Sequence, residues 1–162
     1  MEKGLNAYIR EKFQIKEADI RTYSPLTLAF IGDGIFDLII RSVVVGRGNA
    51  KANTLHHRTS HIVKAHTQAE MIHKLLPQLT EEEQAVYRRG RNANSHTMAK
   101  NATVLDYRKA TGFEALMGYL YLTDQMERMM FLIKKGLAEL EQMPKGHPFM
   151  RGKDVQNIGK DI

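Results

Sequence analysis

The chain has 162 residues, of which 43% are hydrophobic and 26% charged, a balance that suits one globular domain with a proper core. It contains no cysteine, which excludes disulfides, thiolate metal sites and cysteine nucleophiles together and fits a reducing cytoplasm. Lys and Arg outnumber Asp and Glu by 24 to 18, and the resulting formal charge of +6 and pI near 9.5 favour polyanionic partners such as nucleic acid.

Residues 1–10 carry Glu2, Lys3 and Arg10 without an apolar run, so neither a signal peptide nor a membrane span is expected there. Residues 1–24 read as a short amphipathic helix followed by a polar connector. Leu5, Tyr8, Ile9 and Phe13 recur at roughly helical spacing, and the segment is expected to lie on the main body. Ser24 before Pro25 is a helix start, an N-cap residue followed by proline at the first helical position. The helix should run to about Val45, with Gly46 and Gly48 stopping it. It is too long without a turn signal to be a strand, and it is apolar nearly all round, so it is expected at the centre, buried in a core or against another chain. Asp33 interrupts it, flanked by Gly32 and Gly34. A carboxylate in such surroundings loses water on folding and needs a partner or a metal.

From Lys51 to Leu76 a helical pattern continues through Leu55, Ile62, Ala65, Ala69, Ile72 and Leu76, and Pro77 ends it. His57 and His61 are four apart on this helix and could share a metal. No glutamate follows His57 to make a His-Glu-x-x-His zinc site, so surface or phosphate-contacting residues are the favoured reading. Thr80 with Glu83 forms a capping box, predicting a helix from Glu81 to about Arg89 with Gly90 as its stop.

Residues 90–105 are a loop by composition, long for a compact domain. Arg88, Arg89, Arg91, Lys100, Arg108 and Lys109 fall in a region where Asp106 is the only acid between Gln84 and Phe113. Asn92, Asn94, Ser95, Thr97 and Asn101 add neutral donors of the kind that bind phosphate and sugar oxygens. The stretch suits a nucleic-acid backbone, against a plain solvated loop.

A third apolar helix, about Tyr107 to Leu122, carries Glu114 with Gly118 nearby. Asp124 with Glu127 caps a last helix ending near Gln142, and Pro144 closes the body before a basic tail over 144–162. Helices throughout, with no alternating strands, give an all-α fold. Two helices that each carry a carboxylate among small residues could face each other and hold a divalent cation. Pairing of Asp33 and Glu114 with an arginine such as Arg108, or with a buried amide, is the structural alternative, and the spacing leaves both open. No phosphate-binding Gly-x-x-x-x-Gly-Lys loop or Gly-x-Gly-x-x-Gly turn is present, so nucleotide-dependent chemistry has no support.

Phe30-Ile31-Gly32-Asp33 resembles the signature of the ribonuclease III family, in which an aromatic, an aliphatic, Gly and Asp open the catalytic helix. Glu114-Ala115-Leu116-Met117-Gly118 resembles that family's second acidic motif, in the same order and at about the same separation. Residues from about 22 to 142 are similar to one subgroup, Mini-ribonuclease III, which has the nuclease domain alone. Arg89-Gly90-Arg91-Asn92-Ala93 and Ala110-Thr111-Gly112-Phe113-Glu114-Ala115-Leu116 carry that likeness. The stretch beyond the last helix is expected to be too short for the double-stranded-RNA-binding domain of full-length relatives.

The resemblance implies an all-helical, homodimeric endoribonuclease that hydrolyses double-stranded RNA with Mg²⁺. It implies Asp33 and Glu114 as catalytic and metal-holding residues, and Arg88, Arg89, Arg91, Asn92 and Lys100 on the RNA. The nuclease domain would cover 1–143, its signature helix would lie at the dimer contact, and its biology would be 23S ribosomal RNA precursor maturation in the cytoplasm. Family members place a Glu four residues before the signature Asp and an Asp three residues before the second Glu. This chain has Ala29 and Thr111 there, which implies a metal held by fewer protein oxygens and more water. A noncatalytic double-stranded-RNA-binding module on the same fold is the alternative reading.

Overall fold

The computed structural model describes residues 3–93 and 103–141, and all regular structure among them is helical, as the sequence implies. The elements are α1 (Leu5–Lys12), α2 (Pro25–Gly46), α3 (Ala52–Val63), α4 (Ala65–Leu75), α5 (Glu81–Asn92), α6 (Val104–Leu122) and α7 (Met126–Glu141). Single 3₁₀ turns cover Ile20–Thr22 and Leu76–Gln78. The tail over 144–162 and the middle of the polar stretch, 94–102 with Lys100, lie outside the described residues.

Helix α2 starts as its sequence dictates, the Ser24 hydroxyl accepting the Thr27 N–H at 3.1 Å and Pro25 following. Leu28, Ala29, Gly32, Ile35, Phe36, Ile39, Ile40 and Val44 recur at three- and four-residue spacing and are buried. The expected burial on every side does not hold in the single chain. Leu26, Phe30, Leu38 and Val45 lie on the other side, and Phe30 is 82% exposed. A helix can bury only the side its neighbours cover, and no described element covers this one.

Helix α6 is the axis of the fold. It is buried from Ala110 to Tyr121 apart from Glu114, which is half-buried, and its most extensive contact is with α2, followed by α5 and α4. Glycines make the α2–α6 crossing close. A Cβ at Gly32 would stand 1.7 Å from the Glu114 carbonyl oxygen, and one at Gly118 would stand 1.9 Å from that of Leu28. Phe36 and Phe113 meet edge to face at 5.0 Å beside this crossing and are fully buried. Gly34 has no part in it, because a Cβ there would meet nothing within 4 Å.

Several boundaries differ from the sequence reading for identifiable reasons. The helix expected from Lys51 to Leu76 breaks at Lys64, which is extended. Buried Thr67 and Gln68 donate their side-chain hydrogens to the carbonyls of His61 (2.6 Å) and Val63 (2.9 Å), satisfying groups that the break leaves open. Gly90 does not stop α5, which continues to Asn92. Its missing side chain serves packing instead, since a Cβ there would lie 2.7 Å from that of Ala115 and 2.9 Å from the Gly112 Cα.

α1 docks through polar groups rather than its apolar residues. Buried Asn6 donates to the carbonyls of Tyr121 and Leu122, while Leu5, Tyr8 and Phe13 are exposed. Asn6 and Arg10 also engage the Asp124 carboxylate, and Gln125 stands immediately before α7. The capping box of α5 forms in full, with Thr80 Oγ1 accepting from Glu83 N–H at 3.1 Å and Glu83 accepting the Thr80 N–H at 2.9 Å. Arg128 of α7 donates to both oxygens of the same buried Glu83, holding its carboxyl below the usual range and tying α7 to α5.

Candidate metal centre and nucleic-acid interface

The glycine crossing decides what stands together. Asp33 follows Gly32, and the atom that Gly32 faces is the backbone carbonyl of Glu114, so the two acids sit on abutting turns of α2 and α6. Asp33 is exposed in the single chain, contrary to the expectation that it loses its water, and Glu114 lies deeper. Desolvation first, and the Asp33 charge second, push the Glu114 carboxyl up to about 8. Asp33 is also raised, by desolvation and then by the charge of Asp37.

The structural alternative for these acids finds no support among the described residues, where neither carboxylate is ion-paired to a lysine or arginine. Arg108 is exposed and has no contact with either acid. Two carboxylates that repel each other, with no cationic side chain between them, suit a hard divalent cation bound through oxygen. The positions of the two missing acids are closed off: Ala29 is 7% exposed and Thr111 9% exposed, with the Thr111 hydroxyl donating to the Tyr107 carbonyl at 2.9 Å. Among the described residues no group of three or more His, Asp or Glu is gathered for a metal, so water would complete the shell.

One acid escapes the sequence reading. Asp37 lies one turn after Asp33 and on the same side of α2, close enough for its charge to raise Asp33, and it accepts from Arg41 Nε at 2.6 Å. Its four-residue spacing from Asp33 was the available signal.

The basic residues at the end of α5 stand next to this centre. Gly90 packs on Ala115 and Gly112, either side of Glu114, so the last turn of α5 lies against the turn of α6 that carries the acid. Arg88 and Arg89 are exposed. Arg91 is half-buried, its guanidinium 5.6 Å from the centre of the Tyr87 ring and its Nε donating to Asn92 Oδ1 at 3.2 Å. His66 Nδ1 and Asp106 Oδ2 meet at 2.5 Å, joining the start of α4 to the start of α6.

Residues 26–125 match the Ribonuclease III domain family. The chain is 50% identical over 117 residues to the Mini-ribonuclease 3 of Enterococcus faecalis, covering 71% of this chain and 89% of that protein. It belongs to the Mini-ribonuclease 3 branch of the ribonuclease III family. The Mini-ribonuclease 3 of a Thermoanaerobacter species is 40% identical over 142 residues, covering 88% of this chain and all of the relative. The crystal structure of protein FN1578 from Fusobacterium nucleatum superposes with a TM-score of 0.67 at 35% identity, covering 72% of this chain and 95% of that one. As a Mini-ribonuclease 3 family member, the chain is a metal-dependent endoribonuclease acting on double-stranded RNA. No helix among the described residues is long and apolar enough to cross a membrane.

Proposed function

We propose that Asp33 and Glu114 are the catalytic, metal-holding pair, that the metal is Mg²⁺, and that Arg88, Arg89, Arg91, Asn92 and Lys100 bind the RNA backbone. The observation that carries this reading is the glycine crossing, which brings two mutually repelling carboxylates onto abutting turns with neither ion-paired to a lysine or arginine among the described residues. Bound Mg²⁺ would supply Lewis acidity at the phosphoryl oxygens and lower the pKa of the attacking water. The two carboxylates hold and orient the cation, and ionised Glu114 is the form that does so. The α5 arginines take the phosphates of a duplex whose shape and 2′-hydroxyls, rather than base edges, are recognised.

The working form is a homodimer. Leu26, Phe30, Leu38 and Val45 give α2 an exposed apolar side next to Asp33, and a second copy of α2 would cover it. The nuclease domain spans 1–143 with 144–162 as a basic tail, and the substrate is a duplex in precursor 23S ribosomal RNA, processed in the cytoplasm. Cleavage of a duplex RNA by the purified protein tests the reading. Cutting should require Mg²⁺ and disappear in Asp33→Asn while the circular dichroism spectrum is unchanged. Retained cutting in that variant would sink the assignment, and duplex binding without any cutting in the unaltered protein would favour a noncatalytic RNA-binding module.

A further inference from the structure

His57 and His61 have no part in the carboxylate centre, yet among the described residues the fold brings their two imidazoles into contact. Both lie on α3, one turn apart, and their Nε2 atoms are 3.1 Å from each other, with the rings edge to face at 4.4 Å between centroids. The opposite side of α3 is anchored, with Thr59 5% exposed and Ile62 fully buried, so the histidine side is held outward on a fixed backbone. At the end of the helix, the Thr67 side chain fixes the His61 carbonyl at 2.6 Å.

The nitrogen separation is the decisive quantity. With metal–nitrogen bonds of about 2.0–2.1 Å, two imidazole nitrogens on one ion lie about 3.3 Å apart in tetrahedral geometry and about 2.9 Å apart at a right angle. The observed 3.1 Å lies between these values. We infer that His57 and His61 form a bidentate site for a divalent transition-metal ion, separate from the carboxylate centre, with the remaining positions filled by water or by a phosphate oxygen.

In the metal-free protein one Nε2–H donates to the lone pair of the other, and a cation takes the place of that shared proton. Imidazole ligands select Zn²⁺, Ni²⁺ or Cu²⁺ over Mg²⁺, which prefers oxygen, so the two centres differ in the metal they take. The ion would sit off the Nε2–Nε2 line, so each ring turns its lone pair toward it while the nitrogen separation and the helix backbone stay as they are. His56, the adjacent residue, is not a third ligand, as it lines the groove between α2 and α3 with Arg41, Val44 and Leu55.

Calorimetric titration of the untagged full chain with Ni²⁺ in excess Mg²⁺ tests the site. One Ni²⁺ per chain is expected, weakened about tenfold or more in His57→Gln and again in His61→Gln, and within about twofold of the original in His73→Gln, which alters an exposed histidine on α4. Paramagnetic broadening by Ni²⁺ should reach the ring resonances of His57 and His61 first. Absence of saturable binding overturns the inference, as does affinity unchanged in both the His57 and His61 variants. Duplex cleavage in Mg²⁺ reports separately on the carboxylate centre, and neither result decides the other.

Discussion

Gly32 and Glu114 are in backbone contact: a methyl group on the glycine would stand 1.7 Å from the glutamate carbonyl oxygen. The residue before one acid therefore touches the residue that is the other acid. Gly32→Ala must push α2 and α6 apart, and Gly118→Ala must do the same from the other side, against the Leu28 carbonyl. Each should lower stability by about 3 kcal/mol or more, because backbone cannot swing aside as a side-chain tip does. Urea unfolding measures this, and an unchanged midpoint in either variant would contradict the crossing.

Glu114→Gln separates stability from activity. The folded carboxyl sits at about 8, above its ordinary 4.5, so the fold favours the protonated form. That contribution is complete below about 4.5 and is lost as pH rises through about 8. The metal-free protein should lose melting temperature over this window, with Mg²⁺ restoring most at the alkaline end, where the ionised pair needs it. Glutamine removes the Glu114 share of the dependence and leaves the share of Asp33, which desolvation and Asp37 still raise. The variant should melt a few degrees higher than the metal-free parent at alkaline pH, show no Mg²⁺ effect, and cut no RNA. A melting curve whose pH dependence survives the substitution undiminished would place its origin elsewhere.

Local signals in the sequence are enough to read the starts of α2 and α5, since Ser24-Pro25 and Thr80 with Glu83 bond within their own turns. By contrast, α6 starts at Val104 rather than Tyr107, and Asp124 bonds to α1 instead of capping α7. Asp33 and Glu114 are legible because each is an acid set among small and apolar residues, Asp33 between two glycines. The break at Lys64 is not, because it depends on where Thr67 and Gln68 send their side chains rather than on a glycine or proline. Gly90 reads equally as a helix stop or a contact point, and only the presence of Ala115 against it decides. Asp37 is hidden for a similar reason. Its spacing from Arg41 is that of an ordinary surface ion pair, and its nearness to the acidic centre needs the fold.

Asp37 adds negative charge beside the pair without belonging to it. Asp37→Asn should lower the Asp33 carboxyl toward its usual range and weaken the attraction of the centre for a cation. The expected result is a several-fold increase in the Mg²⁺ concentration that gives half-maximal cleavage, with the rate at saturating Mg²⁺ nearly retained. A large loss at saturation would instead make Asp37 a direct ligand.

The exposed side of α2 predicts the assembly. Phe30→Asp would put a charge on a residue that is 82% exposed in the single chain, so the subunit should fold while association is lost. Sedimentation at micromolar concentration should show a dimer for the unaltered protein and a species near 18.5 kDa for the variant. A parent that sediments at 18.5 kDa would remove the dimer from the proposal.

Arg91 has two claims on it, stacking on Tyr87 and binding phosphate, and a salt titration tells them apart. If its guanidinium makes one phosphate contact, Arg91→Ala weakens binding to all duplex sequences alike and reduces the slope of log affinity against log salt by about 1. Arg89→Ala, which removes an exposed side chain in the same turn, should change the slope to a similar degree with no loss of melting temperature. A lower melting temperature with an unchanged slope in Arg91→Ala would mean that the residue serves the α5 surface alone, leaving Arg88 and Arg89 as the cations of that helix end that meet the RNA.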